Sequence, residues 1–65
     1  MKRIERLSSK NIAYLKNSTI TDISFEKEGF AKKLVLTNEK GYRLHCSSHL
    51  SGCFVTNIFQ LEYPE

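Results

Sequence analysis

The sequence is poor in the features by which small chains usually declare a chemistry. Only two of its 65 residues are cysteine, Cys46 and Cys53, too few for the disulfide framework of a secreted miniprotein. Packing must then hold the core, alone or with a partner. A lone core of this size has a margin of only about 3–5 kcal/mol, which a homodimer would widen. The three glycines stand apart at 29, 41 and 52, so there is no glycine-rich phosphate loop. No Gly-x-Ser-x-Gly elbow is present to raise a serine nucleophile. Pro64 is the single proline, and its missing N–H is expected to stop the last strand. No apolar run approaches the roughly 20 residues that span a bilayer. Glu5 and Arg6 break the apolar stretch a signal peptide would need after Met1-Lys2-Arg3. These absences predict a soluble, cytoplasmic, single-domain chain over residues 1–65, with no membrane partner, no cofactor and no catalysis. A chain this short seldom encloses a pocket.

An acidic excess is missing too. Ten Lys and Arg against seven Asp and Glu give a net charge of +3, which excludes imitation of DNA by an acidic surface. The positive charge gathers at the N-terminus, where Lys2, Arg3, Arg6, Lys10 and Lys16 face only Glu5. Such a segment can steer an anionic partner. Direct nucleic-acid binding is therefore one expectation, through this segment together with Lys32, Lys33 and Arg43. Lys40-Gly41-Tyr42 opens like an RNA-recognition signature, but Arg43, Leu44 and His45 replace the small and aromatic residues that should follow.

Residues 7–17 read as a short helix capped by Ser8 or Ser9, with Leu7 packing on Ile12 and Asn17 suited to a left-handed end. Two turns cannot persist alone, so the helix should lie on a sheet. From Thr19 the period becomes two. Ile23 and Phe25 alternate with polar neighbours, Leu34 and Leu36 face inward, and so do Tyr42, Leu44 and Cys46, leaving Arg43 and His45 outward. Glu28-Gly29 supplies a turn, and Asn38 to Gly41 reads as a hairpin loop. Residues 47–52 read as a loop and 53–61 as a fourth strand. The expected fold class is α+β, an antiparallel four-stranded β-meander with one short N-terminal α-helix. Residues 2–6 fit either a further strand or a helix extension.

His45, Cys46, His49 and Cys53 place four zinc-capable groups within nine residues. Neighbours on a strand point to opposite faces, however, so at most Cys46, His49 and Cys53 converge, and the usual second ligand pair is missing. A disulfide between neighbouring strands is sterically open to the two cysteines, though a reducing cytosol would not keep it. The simpler reading makes both cysteines small core residues and both histidines surface groups.

Protein binding fits the lack of a pocket. Exposed sheet edges recruit strands, and aromatic side chains anchor interfaces. Phe30 sits in a turn, Phe54 and Phe59 cannot share one buried face, and Tyr63 lies near the end. The expected contact set is Arg3, Arg6, Lys10, Phe30, Lys32, Arg43, His45, Phe54, Phe59 and Tyr63.

The layout Leu15-x-Asn17-x-Thr19-Ile20-x-x-Ile23-x-Phe25, the hairpin closed at Gly41, and Cys53-x-Val55-x-x-Ile58 resemble a pattern of small phage and mobile-element proteins. That group commonly carries Gly where this chain has Asn17, and a cysteine doublet where it has Gly52-Cys53. The resemblance implies a host-takeover or anti-defence protein, similar to anti-CRISPR proteins. Such a protein blocks a host defence or nucleic-acid-processing complex by steric occlusion. It implies no particular site residues.

Overall fold

The period-two stretches do form strands. The computed structural model of the chain describes residues 3–65. β1 is Ile4–Arg6, β2 Ile20–Glu28, β3 Ala31–Asn38, β4 Arg43–Ser51 and β5 Phe54–Glu62. They build one antiparallel sheet in the order β1-β5-β4-β3-β2. Strands β2 to β5 are a meander of hairpins, and the N-terminal strand returns to the far edge, pairing Ile4 with Glu62 and Arg6 with Gln60. The fold class is nearly all-β, which corrects the α+β expectation. Within residues 2–6 the strand alternative holds for 4–6, and residue 2 lies outside the described residues.

The expected helix is a single 3-10 turn, Asn11–Tyr14. Local side-chain bonds compete with the helical ladder here. Ser8 Oγ accepts from the N–H groups of Lys10 and Asn11, each at 3.3 Å. Asn11 Oδ1 accepts from Ser8 N–H at 2.7 Å, and its Nδ2 donates to the Arg6 carbonyl at 2.9 Å. Asn11 is buried by this arrangement. Leu7 donates its N–H to the Phe59 carbonyl and so extends the sheet edge. Asn17 is left-handed, with φ 56°, as expected.

β4 runs through residues 47–51, which the sequence suggested as loop. It is held on both sides, by β3 up to Ala31–His49 and by β5 through to Ser51–Phe54. Only Gly52 and Cys53 remain to turn the chain, and Gly52 takes φ 62°. The β3–β4 turn is tied by Asn38, whose Oδ1 accepts from the N–H groups of Lys40 at 3.1 Å and Tyr42 at 3.0 Å. Glu39 links that turn to the start of β2: Thr19 N–H donates to its carboxylate at 2.5 Å, and its own N–H donates to the Thr19 carbonyl at 3.0 Å.

Cross-strand partners share a face. One face carries two apolar rows, Ile23–Leu36–Leu44–Leu61 and Phe25–Leu34–Cys46–Phe59. The other carries Asp22, Ser24, Glu26, Lys33, Val35, Thr37, Arg43 and His45. Over one end of the apolar face lies the segment from Ser8 to Ser18, where Tyr14 stacks on Tyr42 at 4.9 Å and Tyr63 meets both edge-on at 5.6 Å. Leu61 lies under that end and is the single buried apolar residue among those described.

Candidate protein interface

The covering segment stops short. Away from the tyrosines the apolar face is open: Ile23 is 64% exposed, Phe25 60% and Phe59 47%. Next on this face comes a polar row, Lys27–Lys32–Ser48–Asn57, and beyond it Leu50 and Val55 are exposed as well. With Phe30, Lys27 and Lys32 they rim an open hollow of about 370 Å³. Formal charge on this face stays at its margins, with Lys27 and Lys32 at the hairpin end and Glu5 beyond Leu61. Its centre is hydrocarbon and the Cys46 thiol, whose pKa burial pushes up.

The opposite face is a shallow polar groove of about 290 Å³. Beside it His45 Nε2 lies 2.9 Å from Glu62 Oε1, with both side chains about nine-tenths buried. This corrects the expectation that His45 is a surface group; His49 is exposed. A histidine oriented by a carboxylate is half of a nucleophile-activating device. Ser24 lies across β3 from His45, two strand spacings or about 10 Å away, while Thr37 lines the same groove.

The ten expected contact residues are not brought together. Phe59 and Lys32 lie on the apolar face, with Phe30 at its rim. Arg6, Arg43, His45 and Phe54 belong to the polar face by register. Lys10 is exposed on the covering segment. Arg3 is bound to the Glu5 carboxylate through Nη2 and, at 2.6 Å, through Nε, while its guanidinium lies 4.4 Å over the Tyr63 ring. Tyr63 closes the aromatic cluster and donates to Glu5 Oε2 at 3.3 Å. Cys46 faces the apolar side and Cys53 is exposed on a turn, which corrects its expected core placement. His49 is on the polar face, so the three zinc-capable groups do not converge, and no metal-competent cluster occurs among the described residues.

Sequence reasoning missed Ile23, Phe25, Leu50 and Val55 as contact residues. The signal was available: four strands' worth of inward apolar side chains against eleven residues of cover. Among the described residues no helix is long and apolar enough to cross a membrane. None of the protein families, curated proteins or solved structures compared with the chain matches it.

Proposed function

We propose that the protein is a small non-catalytic binding protein, an inhibitor or adaptor that acts by occupying a protein surface. The observation that carries this reading is the apolar sheet face left uncovered by its own chain. Exposed apolar side chains side by side, Ile23, Phe25 and Phe59, fit contact with protein, since burying them gains about 25 cal/mol per Å². Steric occlusion needs a surface and no cavity. Within this reading, the phage-borne, anti-CRISPR-like assignment implied by the sequence layout names the finer proposal: a host defence or nucleic-acid-processing complex as target, met in the host cytoplasm.

Direct nucleic-acid binding gains less from the geometry. Lys33 and Arg43 share their groove with Asp22 and Glu26, and Arg3 is neutralised by Glu5. Among the described residues the basic groups form no stripe along which phosphates could lie.

The test is retention of a host protein on the tagged chain, compared with Phe25→Asp. The reading expects retention by the unaltered chain, loss with the variant, and negligible oligonucleotide binding at about 50 mM salt. Equal retention by both chains would refute it, as would oligonucleotide affinity that falls steeply with log salt.

A further inference from the structure

We propose that a second copy of this chain covers the open apolar face, the two sheets packing face to face about a two-fold axis. The inference rests on reading that face as a protein interface, and it names the occupant.

The first argument is area. A compact monomer of 7.5 kDa exposes about 4,200 Å². This chain exposes 5141 Å², an excess of roughly 900 Å². A standard stable interface buries about 800 Å² on each partner. The excess thus equals what one dimer contact removes.

The second argument is shape. One end of the face is raised by the Ser8–Ser18 segment and its stacked tyrosines. The other end is the hollow of about 370 Å³ among Phe30, Leu50 and Val55. A two-fold axis across the strands sets the raised end of each copy over the hollow end of the other. It also separates the two lysine margins, so like charges do not meet. Isologous contact demands this kind of self-complementarity.

The third argument is supply. With Leu61 as its one buried apolar residue among those described, the chain needs cover to hold its fold. Another copy is the partner present wherever the chain is made.

Sedimentation equilibrium from about 1 to about 100 µM tests the pairing. The expected result is twice the 7.5 kDa chain mass, with Phe25→Asp plus Phe59→Asp raising the dissociation constant at least about tenfold. Phe54→Asp, on the opposite face, leaves the dimer intact. Should the double variant unfold, two measurements on the unaltered chain remain. Its Tm rises with concentration, and alkylation of Cys46 slows with concentration while that of the exposed Cys53 does not. A monomer at about 100 µM with a flat Tm overturns the inference. So does a dimer broken by Phe54→Asp but not by the double variant. A monomer that still loses its host protein on Phe25→Asp overturns self-pairing alone. A dimer that retains no host protein upholds self-pairing and overturns the occlusion reading.

Discussion

Asn38, at the end of β3, donates from Nδ2 to the Tyr14 carbonyl 3.2 Å away, joining residues 24 positions apart. Its Oδ1 holds the following turn, and the residue is 2% exposed. Removing the side chain strands buried backbone groups at about 1–3 kcal/mol in total, a large part of a margin near 3–5 kcal/mol. Asn38→Ala should therefore lower the urea midpoint sharply. Asn38→Asp keeps the turn acceptor but buries a carboxylate with an oxygen against the Tyr14 carbonyl, and should fall at least as far. A midpoint for Asn38→Ala equal to that of the unaltered chain would remove this side chain from the fold's supports.

Burial also predicts a gradient of truncation costs. Leu61 is 0% exposed, beneath the tyrosines, and Leu61→Ala should cost about 2–5 kcal/mol. Phe54, 78% exposed at the far end of the same strand, should cost under about 1 kcal/mol when cut to alanine. Denaturant melts of the two variants check the order. Equal losses would mean that the open end of β5 is covered in solution.

How much of this was legible depends on which interactions are local. Ile23 with Phe25 and Leu34 with Leu36 disclose their strands because a period of two is written in adjacent residues. Asn38 to Gly41 discloses its turn because an Asx side chain folds onto its own backbone. β1 was not decidable, since three residues form a strand only by pairing with β5. Residues 47–51 look like loop because Ser and His carry no alternation; both neighbouring strands impose their extension. The helix failed for a local reason, the Ser8–Asn11 bonds, which compete with a ladder that residue spacing alone suggested. At the interface, Phe59 and Lys32 were readable as exposed candidates. Ile23 and Phe25 were missed because facing inward was equated with being covered, although eleven residues of cover are too few for four strands of inward side chains.

The His45–Glu62 contact joins neighbouring strands with both side chains nearly buried. Truncating one member of such a pair leaves the other buried without it, at about 3–5 kcal/mol. Glu62→Ala should thus destabilise strongly. Glu62→Gln keeps an oxygen at the same place to accept from Nε2 and should lose less. Thermal melts at a fixed neutral pH compare the two. If the glutamine variant is as damaged as the alanine variant, the charge of the Glu62 carboxylate, and not its hydrogen bond to His45, carries the stabilisation.

Tyr63 gives a pH prediction. Partial burial, and then the neighbouring Glu5 carboxylate, push its hydroxyl above the ordinary tyrosine value. Burial disfavours the charged form, and a tyrosinate would face Glu5 and could no longer donate to it. Because the folded value is raised, the folded state holds this proton more tightly than the unfolded chain. The resulting stabilisation is complete below the unfolded value of about 10 and disappears as pH climbs through the folded one. Tyr63→Phe should therefore flatten the alkaline limb of the stability curve and remove a tyrosinate absorbance step near 295 nm that lies above the ordinary tyrosine value of about 10. If the step that vanishes lies at or below about 10, Tyr63 is not held against Glu5 in solution.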